Sequence, residues 1–306
     1  MLINNGENSK LIVIVGPTAS GKSNLAIYLA QKYNAEIFSA DSRQIYTELN
    51  IGTAKPTPSE RRQVKHHFID IVSVQDNYSA GQYEQEIDNA LLEYFKFHSL
   101  GIIVGGTGFY INAAIYGLDS FPVVSERIKA TIQKKYEEGG LIALQKEVED
   151  KDPEYFKIVD INNPMRLMRA LGVIYSSSKP YSSFVKGNRT RPKYDIIPIV
   201  LDIDRKELYH RINERVDKMI ESGLLDEVKN LMGWSHLQAM NTVGYSELIA
   251  HLNGEIDWPT AIELIKRNTR RYAKRQLTWI NNQYPDWPRF APNYLEISDY
   301  IDGVLR

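Results

Sequence analysis

From Gly16 to Ser23 the chain reads Gly-Pro-Thr-Ala-Ser-Gly-Lys-Ser, which fits G-x-x-x-x-G-K-[S/T] between an apolar run and a helix-compatible stretch. Gly16 and Gly21 let the backbone N–H groups around Thr18, Ala19 and Ser20 turn inward onto phosphate oxygens, and the following helix presents its positive end to an anion. Lys22 adds a point charge, and the Ser23 hydroxyl is the expected ligand for Mg²⁺. The expected ligand is a di- or triphosphate.

Other residues point to the same crevice. Asp41, Ser42, Arg43 and Gln44 follow a second short strand, and in a doubly wound fold such a strand end faces the phosphate loop. Asp41 could serve there as a general base or metal ligand, or it could simply cap a helix. Ser42 and Gln44 offer hydrogen bonds able to read a base edge. Gly105-Gly-Thr107-Gly ends a further strand, so Thr107 contributes a hydroxyl. Arg211 and Arg215, spaced i, i+4, suit a diphosphate, or else belong to a solvated face with Glu207, Glu214 and Asp217 as partners. Arg166 and Arg169 suit RNA phosphates or an ordinary surface. Asp70 could take a metal or be structural, and the histidines show no zinc-ligand spacing.

The elements that position these residues read as an α/β core. Leu11–Val15, Ile37–Ala40, Phe68–Val74, Gly101–Val104 and Ile196–Leu201 are the expected strands. Helices are expected from Lys22 to about Tyr33 and, opened by a Ser79/Gln82 capping box, through about Phe97. Such alternation implies a mostly parallel sheet covered on both faces by helices. Residues 120–190 are charged and helix-biased without convincing strands, ending in the loop-like Ser176–Pro180 and Gly187–Pro192. The expected organisation is a P-loop core in residues 1–118, a helical insertion in 119–195, and a return to the core with C-terminal helices in 196–306.

Charge leaves the class of partner open. The 306 residues carry 37 Lys and Arg against 38 Asp and Glu, but residues 121–200 hold 14 basic and 10 acidic side chains. Lys266–Arg275 packs six Lys and Arg into ten residues with no acid, which suits a polyanion. With no cysteine, disulfides, thiolate zinc sites and Cys nucleophiles are excluded. The Leu11–Val15 run is too short to span a bilayer, so a cytoplasmic protein without membrane attachment is expected.

Together the motifs GPTASGKS (16–23), DSRQIY (41–46), IGTAKP (51–56), HHFIDI (66–71), VGGTGFY (104–110), NPMRLMRAL (163–171), NTVGY (241–245) and RRYAKRQLTWI (270–280) resemble the tRNA dimethylallyltransferase, or isopentenyltransferase, family. They occur in order across about 265 residues, and the match is to the bacterial form because no zinc-finger extension follows. The resemblance implies transfer of a dimethylallyl group from dimethylallyl diphosphate to N6 of the adenine immediately 3′ of the anticodon in tRNA, with release of diphosphate. By that similarity Asp41 accepts the N6 proton, Thr107 positions the reacting groups, and the phosphate loop with Mg²⁺, Lys22 and the arginines holds the leaving diphosphate. The tRNA contacts it implies are Asp41, Ser42, Arg43, Gln44 and Thr107, then Arg127 with Met165, Arg166, Leu167, Met168 and Arg169. Asn241, Thr242, Val243, Gly244, Tyr245 and Ser246 complete them, Ser246 departing from the Arg or Gln common after the VGY motif. The expected partners are the tRNA anticodon stem-loop and dimethylallyl diphosphate, and a monomer is expected. Two other classes stay in view: a small-metabolite or nucleotide kinase, and a non-catalytic RNA binder switched by a nucleotide.

Overall fold

The computed structural model describes residues 9–185 and 194–306, so the expected loop Gly187–Pro192 lies outside the described residues. Six strands form one sheet in the order β3-β2-β4-β1-β5-β6. They are β1 (Lys10–Val15), β2 (Ile37–Ser39), β3 (His66–His67), β4 (Leu100–Val104), β5 (Asp195–Leu201) and β6 (Arg289–Phe290), and every neighbouring pair is parallel. Ile12 sits in register with Ile102 on one side and Ile197 on the other. From Leu11 to Val15 no side chain reaches solvent, as a strand covered on both faces requires.

Helices α1 (Lys22–Tyr33), α2 (Pro58–Gln63), α3 (Ala80–Tyr94) and α4 (Gly108–Tyr116) alternate with the first four strands. α3 starts where its sequence says: Ser79 Oγ accepts the Gln82 N–H at 3.2 Å and Gln82 Oε1 accepts the Ser79 N–H at 2.8 Å. Such a cap contributes about 1 kcal/mol, and the helix buries Tyr83, Ile87, Leu91 and Tyr94. It stops at Tyr94 rather than Phe97, because the last turn folds back through Phe97 and His98 N–H groups onto the Tyr94 carbonyl.

One strand expectation needs correction, and one short strand, β6, was not expected. Phe68–Val74 is not a strand: Phe68 and Asp70 hold φ of 62° and 57°, left-handed values that no strand accepts. The chain there turns, and the N–H groups of Asp70 and Ile71 bond to Gln44 and Ile45 carbonyls instead. β6 escaped notice because two residues show no period to read.

The chain divides into two compact units, residues 1–117 with 192–306, and Leu118–Arg191. In the first, the later helices are α8 (Arg205–Glu221), α9 (Leu224–Asn230), α10 (Tyr245–Leu252), α11 (Trp258–Gln283) and α12 (Tyr294–Leu305). Among its described residues the regular structure of the second is all helical: α5 (Glu126–Lys151), kinked at Gly140 where φ is 61°, α6 (Pro153–Phe156) and α7 (Pro164–Ser177), after an irregular stretch from 118 to 125. They close on Ile132, Leu144, Val148, Leu167, Leu171 and Ile174. Among the described residues no helix is long and apolar enough to cross a membrane.

Candidate active site

The carboxyl ends of β1, β2 and β4 open into a cleft of about 1680 Å³. Its floor is the loop between β1 and α1. Gly21 takes φ 94° as the residue before α1, a left-handed conformation that glycine adopts without strain. No side chain caps α1 there, as none caps α4, α9 or α10, whereas α2, α3, α5, α7, α8, α11 and α12 begin with a capping side chain. The first-turn N–H groups of α1 therefore face the cleft unclaimed, with the helix dipole behind them. Ser20 Oγ is buried beside them without a partner.

Lys22 Nζ donates to the Pro17 carbonyl at 2.6 Å, folded over its own loop. Burial of the ammonium, then the neighbouring Arg215 guanidinium, push it down to about 7, with Asp41 opposing. Among the described residues Arg215 makes no hydrogen bond or ion pair, and burial presses its guanidinium toward neutrality while Asp41 resists. It lines the cleft as an unspent cation. Arg211 also lines the cleft but is committed, its Nε donating to Glu207 Oε1 at 2.7 Å. Of the two readings of this pair, the diphosphate reading suits Arg215 and the solvated-face reading suits Arg211.

Thr18 departs from expectation. Its N–H is not turned to the cleft but donates to Gln276 Oε1 at 2.8 Å. The same amide side chain donates through Nε2 to the Gly106 carbonyl at 2.8 Å, so α11 grips two glycine loops at once.

On the cleft wall Asp41 caps a turn rather than a helix. Its Oδ1 accepts the N–H groups of Arg43 (2.9 Å) and Gln44 (3.3 Å), which fixes the carboxylate and, among the described residues, leaves Oδ2 without a partner. Next to it, Thr107 Oγ1 accepts the Ser42 N–H at 3.0 Å and donates to Ser42 Oγ at 3.1 Å. The two loops touch backbone to backbone: Thr107 N–H donates to the Ala40 carbonyl at 3.1 Å, and a Cβ at Gly105 would overlap that carbonyl. Tyr272 of α11 also lines the cleft, its phenol pushed up to about 12 by burial and by Asp41.

Arg43 and Gln44 line the cleft and also carry bonds within the chain. Arg43 spends its guanidinium on the carbonyls of Gln238, Ala239 and Asn241 at 3.5, 3.3 and 3.2 Å. Gln44 Nε2 donates to the Thr53 and Ala54 carbonyls at 3.2 and 3.3 Å. Asn241, Thr242, Val243, Gly244 and Ser246 line the cleft, but Tyr245 is fully buried and packs its ring on Gly52, so its side chain is not available as a surface contact. Asp70 holds no metal position free, because Lys55 and Arg61 both pair with it.

In the helical unit Arg127, Met165, Arg166 and Arg169 are exposed and Met168 is partly buried. Arg169 lies over the Phe121 ring at 5.4 Å. Leu167 is wholly buried in that unit's core, which removes it from the set of surface contacts. Along α11, Lys266 pairs with Asp217 at 2.7 Å and Arg270 donates to Asn213 at 2.7 Å, whereas Arg267, Arg271, Lys274 and Arg275 stay exposed as a basic strip.

Besides Gln276, two carboxylates that hold cleft-lining segments, Glu227 and Glu247, went unnoticed in the sequence, as did Glu48, which ties down residues 73 and 74 away from the lining. Glu227 accepts the N–H groups of Asn50, Ile51 and Gly52 at 3.1, 2.9 and 3.2 Å and the Tyr245 hydroxyl at 2.5 Å. Glu247 joins the Gly244 N–H to Asn268 of α11, both at 2.7 Å. Glu48 accepts from Ser73 and from the Val74 N–H at 2.6 and 2.9 Å.

Residues 44–283 match the profile of a family described as IPP transferase. The chain is 45% identical over 298 residues to a tRNA dimethylallyltransferase of Christiangramia forsetii, covering 97% of this chain and 98% of that one. It is 42% identical over 303 residues to the Flavobacterium johnsoniae protein of the same name, covering 97% and 98%. Among solved structures, the tRNA isopentenylpyrophosphate transferase of Bacillus halodurans superposes with a TM-score of 0.71 at 34% identity, covering 96% of each chain. A eukaryotic dimethylallyltransferase described as acting on tRNA gives 0.77 at 28% identity, covering 89% of this chain and 70% of that one.

Proposed function

This chain belongs to the IPP transferase family, and from that membership we infer that it is a transferase that moves a prenyl group onto tRNA. The donor we propose is dimethylallyl diphosphate, and the acceptor is the exocyclic N6 of the adenine immediately 3′ of the anticodon. In this reaction the bond from N6 to the allylic carbon forms, the bond from that carbon to the diphosphate oxygen breaks, and one N6 proton leaves. The adenine must unstack to enter the cleft, at a cost on the order of a few kcal/mol. A cytoplasmic monomer is the form this reading expects.

Asp41 is the base. The exocyclic amine is a weak nucleophile, and a positioned carboxylate contributes roughly 10²–10⁴-fold. Support comes from the pair of N–H donors that orient Oδ1 and leave Oδ2 open. Thr107 holds this segment in place through Ser42. Diphosphate leaves into the uncapped first turn of α1, where Lys22 and the unpaired Arg215 meet the charge that develops on it.

Magnesium fits this donor set. Ser23 is exposed in the first turn of α1, and among the described residues its hydroxyl has no hydrogen-bond partner. Among the described residues no group of three or more His, Asp or Glu could hold a metal by itself. That composition suits Mg²⁺, which takes one or two protein oxygens and completes its shell with phosphate oxygens and water. When bound, the ion supplies charge neutralisation to the leaving diphosphate. Arg127, Arg166 and Arg169 in the helical unit, and the basic strip of α11, are proposed contacts for the tRNA backbone.

The observation that carries this reading is the placement of an oriented carboxylate and a threonine hydroxyl on the wall of a cleft whose floor is an uncapped phosphate loop. The test is mass spectrometry of nucleosides from unmodified tRNA after incubation with protein, Mg²⁺ and dimethylallyl diphosphate. Adenosine gains a dimethylallyl group only when both protein and diphosphate are present. Unmodified nucleosides from folded protein and competent tRNA would overturn the reading in favour of phosphotransfer.

A further inference from the structure

Gln276 is a buried side chain on α11, 8% exposed, and both ends of its amide are occupied. Its Oε1 takes the Thr18 N–H of the phosphate loop, and its Nε2 donates to the Gly106 carbonyl one residue before Thr107, each at 2.8 Å. The two loops leave neighbouring strands, with Ile14 in register with Val104, but beyond those ends no ladder ties them together. One loop seats the leaving group in the reading above, and the other carries the hydroxyl that holds the Asp41 segment.

We propose that Gln276 is a positioning residue for group transfer: it sets the spacing between the diphosphate seat and the Asp41–Thr107 wall. The proposal rests on the reaction proposed above. The chemistry of the two partners dictates an amide, since one is a donor and the other an acceptor. A methionine of similar length satisfies neither. A second feature tightens the fit: a Cβ at Gly106 would overlap Gln276 Nε2, so the glycine is what lets the amide reach the carbonyl. Gly106→Ala therefore displaces the amide without altering residue 276. Spacing matters here because bond formation and bond cleavage occur on opposite sides of one carbon, and an ångström of misplacement costs roughly 10²-fold.

The experiment compares the parental enzyme, Gln276→Met, Gly106→Ala and the double variant in dimethylallyl transfer to tRNA, with thermal unfolding measured alongside. Each single variant loses about 10- to 100-fold in kcat with KM for tRNA unchanged. The double variant is no slower than the slower single, because both changes remove one linkage. Parental kcat in a folded Gln276→Met overturns the proposal, as do losses that multiply in the double variant. If Gln276→Met does not fold, Gly106→Ala decides alone: parental kcat there overturns the proposal and a kcat loss at parental KM for tRNA upholds it. An inactive parental enzyme would instead count against the reaction itself, which keeps the two failures distinct.

Discussion

Thr107 and Ser42 exchange hydrogen bonds in both directions, Thr107 Oγ1 accepting the Ser42 N–H at 3.0 Å and donating to Ser42 Oγ at 3.1 Å. The helix-opening threonine is thereby diverted from capping α4, which has no side-chain cap bond. Its hydroxyl instead holds the turn that presents Asp41, the proposed base.

Asp41→Asn is expected to lower kcat by roughly 10²–10⁴-fold while tRNA affinity stays near parental. The amide keeps the side-chain oxygen that accepts the Arg43 and Gln44 N–H groups but cannot take a proton. Single-turnover transfer alongside tRNA binding by fluorescence anisotropy measures both. A parental rate would remove Asp41 from the chemistry.

Arg215 and Arg211 should behave differently despite their i, i+4 spacing. Hydrogen bonds to charged groups contribute about 1.5–3 kcal/mol, so Arg215→Ala is expected to raise KM for dimethylallyl diphosphate by roughly 10- to 100-fold. Arg211 is already paired with Glu207 on the surface, where such a pair is worth about 0–1 kcal/mol, and Arg211→Ala should leave KM close to parental. Steady-state kinetics in the diphosphate, at saturating tRNA, tests the contrast.

The lowered Lys22 pKa gives a pH dependence with a definite sign. Its folded value, about 7, lies below the ordinary lysine value. Raising the pH through 7 therefore removes the ammonium from the free enzyme and weakens diphosphate binding. A bound diphosphate restores the charge, so binding inorganic diphosphate should take up protons above pH 7. Titration calorimetry in buffers of different ionisation enthalpy reads the net proton exchange, diphosphate's own protons included, and the Lys22 uptake is the difference between the parental protein and Lys22→Arg. The same shift makes the unfolded chain bind more protons than the folded one above pH 7, so the Lys22 contribution to apo-protein stability rises with pH across that window.

Glu227 predicts a stability effect outside the chemistry. It receives three backbone N–H groups and the Tyr245 hydroxyl, and Glu227→Ala orphans all of them. The expected loss is on the order of 3 kcal/mol, read by urea denaturation. Transfer by the folded fraction should persist at a reduced rate, because the loop 50–54 that Gln44 grips is loosened.

Neutralising Arg271 tests the basic strip of α11. If it meets a tRNA phosphate, Arg271→Ala lowers the salt dependence of tRNA binding by about one counterion in the slope of log K against log salt. An unchanged slope would place the nucleic acid elsewhere.

What the sequence made legible was local. The phosphate loop and α1 follow from glycine and lysine spacing, and α3 from a capping box that spans four residues. The long-range ties were not legible: Thr18 and Gln276 are 258 positions apart, and Arg43 reaches carbonyls 195 to 198 positions away. A glutamine inside a basic helix has no pattern that marks it as a bridge. The run Phe68–Val74 misled for a different reason, since its apolar residues read as a strand until the left-handed backbone at Phe68 and Asp70 is seen. Leu167 sits in a motif flanked by exposed arginines, and only the core of its unit shows which way it faces.

The central strand of the sheet also constrains how the molecule comes to be. β1 completes its pairing with β5 through partners such as Ile12 and Ile197, and the whole helical unit lies between them in the chain. During synthesis from the N-terminus, β1 emerges early and waits with one edge open while the helices of residues 118–191 are made. Those helices are contiguous and pack on near neighbours, a low contact order that favours rapid folding, whereas closing the sheet carries the entropy of a very long loop. An insertion able to fold while the sheet is still incomplete shortens the effective loop that β1 must close, so its early folding offsets part of the entropy its own length adds.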